Sequence, residues 1–225
     1  MNAEINPRYQ EARPLDGCAF FVFYVSRVSY FDSEADFMSD ILLETNRLIL
    51  RSWRDDDLDP LAEICADPEV MRYFPATLSR DETAGLIKWA RDKTSKDGFC
   101  FGPVETKSDG AFLGFVGLSV PDYPKPLPFF PCVEVGWRLK RSAWGMGYAS
   151  EAAREWIRFG FETIGLKEIV SFTTVTNTPS RRVMERIGMT YSPSEDFQHP
   201  MLNADHPLSN HVLYRLSKSS RDKQR

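Results

Sequence analysis

Three things are scarce in this 225-residue chain, and each scarcity excludes a class of function. Cysteine is the first. The four present, Cys18, Cys65, Cys100 and Cys132, are widely scattered and form no Cys-x-x-Cys pair. That spacing suggests neither a zinc site nor a redox pair, so no metal is expected and free thiols in a reducing cytoplasm are. Long apolar runs are missing too. None reaches the roughly 20 residues a membrane helix needs, and no membrane partner is expected. The short run Ala19–Val25 follows Glu4, Glu11 and Asp16, which spoil the positive leader of a signal peptide. Positive charge is the third deficit: 28 Lys and Arg stand against 32 Asp and Glu, a net charge of -4. That balance argues against nucleic acid as the main ligand, which calls for clustered Lys and Arg.

What is present suffices for a core: 42% of residues are hydrophobic and 13% aromatic. The length fits one large domain, or one domain with an appendage. Residues 1–37 differ from the rest, with the aromatic run Phe20–Val25 set in polar sequence. We expect them to be a poorly ordered appendage; the alternative is an extra strand or a pairing surface. The domain is expected over residues 38–217, followed by a polar tail over 218–225.

From Leu43 the pattern becomes regular. Arg47–Arg51 alternates like a strand. Asp55 or Asp56 can cap a helix through Leu58, Leu61, Ile64 and Cys65, and Asp67-Pro68 ends it. Ser79 and Glu82 form a capping box for a second helix that Gly98 closes. Strands over 99–106 and 111–120 are joined by an Asp-Gly turn. Residues 121–131 hold five prolines and read as an exposed, stiff loop. A strand over 132–139 leads to a glycine-rich turn, then to a helix over 148–161 with Ala149, Ala152, Ala153 and Trp156 at helical spacing. A strand over 167–174, a helix over 177–187 stopped by Gly188, and two last strands around an irregular loop, 192–210, complete the pattern. Strand–helix–strand implies a parallel crossover. The fold class is therefore mixed α/β (α+β), a central mixed sheet with helices on both faces.

The turn Arg141–Ala149, with Gly145 and Gly147 at the start of a helix, can aim several backbone N–H groups at one anion. Local grounds leave a ligand-free connection equally open.

Four stretches together resemble the GNAT superfamily of acetyltransferases, in the branch of the ribosomal-protein alanine acetyltransferases (the RimJ/RimL type). They are Leu43–Arg51, Val133–Trp137, Trp144–Ala152 and Asn177–Met189. The likeness spans roughly residues 43–217. One position departs: the superfamily places Gln or Arg three residues before the first glycine, where this chain has Ser142 beside Arg141.

The resemblance implies a GNAT-like fold with a splayed pair of parallel strands. It implies acetyl-CoA as co-substrate, with its pyrophosphate on the backbone of Trp144, Gly145, Met146, Gly147, Tyr148 and Ala149. The pantetheine arm is expected beside the strand through Trp137 and Leu139, with Asn177 bridging to it or serving as a helix cap. The implied reaction is direct attack of a primary amine, a protein N-terminus or a small molecule, through a tetrahedral intermediate. Glu134, an acid in an otherwise apolar strand, is the candidate base; the alternative is a solvated or ion-paired face. Many relatives carry a tyrosine where this chain has Met184, so Ser180 is the candidate acid, or else an ordinary helix-start serine. Arg181 and Arg182 could reach the ribose phosphate of coenzyme A, but as helix-surface arginines they read as solvated. His199, His206 and His211 fit no metal spacing and are assigned to a loop over the acceptor site. Two other functions stay open: an aminoglycoside-type drug acetyltransferase and a non-catalytic acetyl-CoA-binding module. A monomer or homodimer is expected.

Overall fold

The computed structural model describes residues 41–222. The expected appendage, residues 1–37, lies outside the described residues. Among those described, nine strands form one sheet. Strands β1 (Ile41–Glu44), β2 (Leu48–Arg51), β3 (Phe101–Thr106), β4 (Phe112–Ser119) and β5 (Glu134–Leu139) run antiparallel, each to the next. Strand β6 (Glu168–Thr174) then lies parallel to β5. Beyond it, β9 (Asn210–Ser217) pairs antiparallel with β6, and the two-residue strands β7 (Thr190–Tyr191) and β8 (Phe197–Gln198) pair with β9.

Helices cover both faces. The helix α4 (Tyr148–Phe159) lays Ala152, Ala153, Trp156 and Ile157 on Val116, Leu118, Val135 and Leu139. Both alanines are fully buried, which lets the helix lie close to the sheet. The helix α5 (Thr178–Arg186) joins the same core through Met184. On the opposite face, α1 (Leu58–Ala66) and α3 (Arg80–Asp97) pack Leu61, Cys65, Ile87 and Ala90 against Phe115 and Trp53.

Several local readings need correction. The sequence Asp67-Pro68 does not simply end a helix: Asp67 Oδ1 accepts the Glu69 N–H at 2.9 Å and starts a short helix, α2 (Pro68–Met71). Proline is tolerated there because a first-turn N–H has no intrahelical partner. The residue before α1 is Asp57, not Asp55 or Asp56, and its carboxylate accepts the Arg54 N–H at 2.7 Å across a 3-10 turn. Asp57 also holds the buried Arg51 at 2.7 Å, and Glu105 takes the same guanidinium at 2.7 Å. The proline-rich loop is not merely exposed: Leu127 is buried, and Phe129 meets the Phe172 and Phe197 rings edge-on. The helix after the glycine turn is regular only to Phe159 and finishes in one wider π turn, 160–164. Residues 218–222 form a short last helix, α6.

Candidate active site

The site begins where two parallel strands part. Strands β5 and β6 share a single bridge, Glu134 opposite Val170. Val133 O accepts the Val170 N–H at 2.9 Å, and Val135 O accepts the Ser171 hydroxyl at 2.9 Å. The odd-numbered residues of β5 therefore turn their backbone groups toward β6. Strand alternation carries that edge on through Trp137 and Leu139, beyond the last bridge. The gap opens toward the C-terminal ends of both strands, where α4 and α5 begin.

The first wall of the gap is the glycine turn. Gly145 (φ 75°) and Gly147 (φ 79°) adopt left-handed backbone. A Cβ at Gly145 meets nothing within 4 Å, and one at Gly147 meets only Arg47 Nη2 at 3.5 Å. The conformation, not crowding within the protein, is what asks for glycine. The first α4 bond runs from the Glu151 N–H to Gly147 O at 3.0 Å. The N–H groups of Tyr148, Ala149 and Ser150 thus precede the ladder at the positive end of the helix dipole. Arg47 and Glu151, neither singled out from sequence, clamp this turn. Arg47 Nε donates to Glu151 Oε2 at 2.7 Å, and Nη2 donates to Met146 O at 3.0 Å. The Arg47 guanidinium also lies 4.6 Å over the Tyr148 ring. Arg141 turns away toward Asp67, at 3.7 Å.

The second wall is α5. Asn177 Oδ1 accepts the Ser180 N–H at 3.3 Å as a helix cap, and its Nδ2 donates to Thr173 Oγ1 at 2.8 Å. Any bond from Asn177 to a ligand would use the second amide hydrogen or the second lone pair. Ser180 lines the cavity, and its hydroxyl has no hydrogen-bond partner among the described residues.

One cavity of about 1000 Å³ runs through the gap and is lined from both faces of the sheet. It gathers Glu134, Trp137, Leu139, Trp144, Gly145, Gly147, Tyr148, Ala149, Asn177 and Ser180, all expected from sequence. Met146, expected to contribute its backbone, is 54% exposed and is not among the lining residues. Cross-strand partners fix the faces. Val116 opposite Trp137 and Leu118 opposite Val135 lie on the α4 side; Phe115 opposite Arg138 and Ser119 opposite Glu134 lie on the α1/α3 side. The glycine turn and Glu134 therefore address the gap from opposite faces.

The chamber on the Glu134 face has its own chemistry. Burial pushes the Glu134 carboxyl up to about 8, with the Asp122 charge adding to the rise and Lys93 opposing it. Lys93 is engaged elsewhere, with Asp97 at 2.7 Å and Val120 O at 2.8 Å. Burial also raises Tyr123, reinforced by the charges of Glu134 and Asp122. Tyr123 meets His199 edge-on at 5.0 Å, and His199 lies 4.9 Å from His211. Burial lowers both histidines, His211 to about 4, so both are neutral at pH 7. Among the described residues no cluster of His, Cys, Asp and Glu is arranged to hold a metal, and no helix is long and apolar enough to cross a membrane. Sequence reasoning missed Asp122, Tyr123 and Arg138. For Arg138 a signal existed, since it follows Glu134 by two alternations on one strand.

Residues 47–190 match the family described as "Acetyltransferase (GNAT) domain". The protein YkkB of Bacillus subtilis, itself uncharacterized, is 32% identical over 151 residues, covering 67% of this chain and 86% of its own. An FsC-acetyl coenzyme A-N(2)-transacetylase of Aspergillus fumigatus is 34% identical over 154 residues, covering 66% of this chain and 65% of its own. Among solved structures, a GNAT-family acetyltransferase from Bacillus anthracis is 25% identical with a TM-score of 0.64, covering 80% of this chain and 98% of that one.

Proposed function

Since this chain belongs to the GNAT family and is an acetyltransferase, we propose that it acetylates a primary amine, with Glu134 as the base. The observation that carries this reading is the through-going cavity, with an anion cradle on one face and a high-pKa carboxyl on the other. The residues fit the family's co-substrate. Left-handed glycines leave the N–H groups at the start of α4 open to a diphosphate. Beyond the single β5–β6 bridge, the backbone edge at Trp137 is open to pair with an extended arm as another strand would, while at Leu139 the carbonyl already accepts the Trp144 indole N–H at 2.9 Å and leaves only the N–H for the arm. Acetyl-CoA supplies an activated acyl group there when bound.

The chain's own groups then have distinct tasks. Glu134 removes a proton from the acceptor nitrogen, and its raised pKa suits a base working near neutrality. The N–H of the gap-facing edge of β5 is placed to stabilise negative charge on a carbonyl oxygen. Ser180 holds a hydroxyl proton at the gap, ready for a leaving thiolate. Asn177 sets Ser180 in place by capping α5. The finer resemblance to the ribosomal-protein alanine acetyltransferases makes a peptide α-amine the acceptor we favour, and the transacetylase likeness keeps small amines in the test. Free thiols at Cys65, Cys100 and Cys132 suit a reducing cytoplasm.

The test is a screen of peptides and small amines with acetyl-CoA, read by mass spectrometry for the gain of one acetyl group. Acetylated amine that disappears in Glu134→Gln supports the reading. Product formed equally well by that variant at every pH removes Glu134 from it.

A further inference from the structure

We infer that Arg138 is the recognition group for an acceptor bearing a carboxylate set well apart from its reacting amine. This deepens the amine-acetylation reading and rests on it.

Arg138 stands on the same face of β5 as Glu134 and lines the same cavity. Its guanidinium lies 4.3 Å from the Phe74 ring centroid and 5.3 Å from that of Phe115. Nη1 donates to Cys65 Sγ at 3.1 Å, a weak acceptor. Nε is buried and has no hydrogen-bond partner among the described residues. Among the described residues no carboxylate pairs with this cation.

Its neighbours differ in this respect. Arg51 holds both Asp57 and Glu105 at 2.7 Å, and Arg72, also in the cavity wall, pairs with Glu69 at 3.3 Å. A half-buried guanidinium without a counter-ion is costly, and two aromatic faces offset only part of the cost. An arriving carboxylate completes the set, and the fork of an arginine matches it with two parallel bonds.

The geometry also sets the acceptor's reach. Four residues along one strand separate the Glu134 and Arg138 Cα atoms by about 13 Å. The Phe101 ring covers the strand between them, since a Cβ on Gly136 would meet its Cε1 at 3.1 Å. The α-carboxylate of a free amino acid lies too close to its own amine to span this floor. An acidic side chain at the second or third residue of a peptide spans it while the terminal amine rests at Glu134.

The test uses C-terminally amidated tripeptides with Glu or Gln at the second or third position, so that the Glu side chain is the sole carboxylate. Wild-type kcat/KM is expected to favour Glu over Gln by about tenfold or more at one of the two positions. In Arg138→Met the ratio falls to near one, and in Arg138→Lys part of it survives. Coenzyme A affinity by calorimetry stays at the wild-type value in both. Equal kcat/KM for Glu and Gln in the wild type, or a preference that survives in Arg138→Met, overturns the inference. If the methionine variant does not fold, the wild-type ratio and the lysine variant still decide. Calorimetry of the same peptides against enzyme saturated with coenzyme A reads the preference without turnover. Absence of any acetylated product therefore sinks the activity reading alone. Equal affinities, or no binding by any of the peptides, sink the role of Arg138.

Discussion

Replacing Glu134 by glutamine exchanges a carboxyl for an amide of nearly the same shape at the apex of the β5–β6 gap. Two consequences follow from its pKa of about 8, against an ordinary 4.5. The first concerns rate. If the carboxylate takes the acceptor's proton, the ratio of wild-type to Glu134→Gln kcat/KM rises tenfold per pH unit below about 8 and levels above it. Taking the ratio cancels the acceptor's own titration. The plateau should lie at about 10²–10⁴, the usual worth of a placed base. The second concerns stability. A carboxyl raised in the folded state holds its proton more tightly there than in the unfolded chain. Below about 4.5 both states are protonated and the penalty is absent. Between 4.5 and about 8 the wild type loses stability as pH rises, to a limit of about 5 kcal/mol. The glutamine variant escapes that loss, so its melting temperature should pull ahead of wild type from pH 5 to 8 while its rate falls behind. Paired pH profiles of turnover and of thermal unfolding measure both. Rate profiles that run parallel from about pH 6 to 9.5, with no divergence in melting temperature, would refute the reasoning.

Three further substitutions test the walls of the site. Gly147→Ala should cost about 1–2 kcal/mol in thermal unfolding, for left-handed backbone alone, because the space around it is open. Its larger effect should be a rise in the Kd for coenzyme A, measured by calorimetry, as the methyl enters the path of the diphosphate. Asn177→Ala removes the α5 cap and should destabilise by about 1 kcal/mol with a loss in kcat, whereas Ser180→Ala should leave the melting temperature unchanged and lower kcat alone. Asp57→Ala strips the buried Arg51 of one of its two carboxylates and should cost about 3 kcal/mol in denaturant unfolding without changing coenzyme A affinity.

The fold was legible where chemistry is local. Ser79 and Glu82 form the expected capping box, with the Ser79 N–H given to Glu82 Oε2 at 2.7 Å, and Gly98 ends α3 in left-handed backbone. The hairpin over residues 107–110 and the stop at Gly188 rest on the same kind of signal. What stayed hidden depends on partners distant in sequence. Nothing near Glu151 announces that it holds Arg47, 104 residues earlier, against the glycine turn. The loop over 121–131 reads as exposed because its prolines exclude regular structure, yet Leu127 is buried and Phe129 finds aromatic neighbours on β6 and β8. Of the site, the gap-facing strand and the glycine turn follow from motif order. The acceptor chamber does not, since Tyr123, Arg138 and His199 are distant in sequence and line one cavity only in the folded chain.

The distribution of charge argues most directly for where the chemistry lies. Elsewhere in the described interior, buried ions are answered: Arg51 by Asp57 and Glu105, Lys93 by Asp97 and the Val120 carbonyl. Strand β5 breaks that pattern twice on one face. Among the described residues the half-buried Glu134 has no ion pair, although Lys93 is near enough to lower its pKa, and the half-buried Arg138 leaves Nε without a hydrogen-bond partner. A chain selected for stability alone would pair these groups or replace them with apolar ones. Keeping both, four residues apart on a strand floored by the Phe101 ring, makes sense if their partners arrive with the acceptor: an ammonium for the acid and an anion for the arginine. It follows that Glu134→Gln combined with Arg138→Met should stabilise the ligand-free enzyme above pH 8 relative to either single change while abolishing turnover. A double variant less stable than both singles would show that the two charges serve the fold.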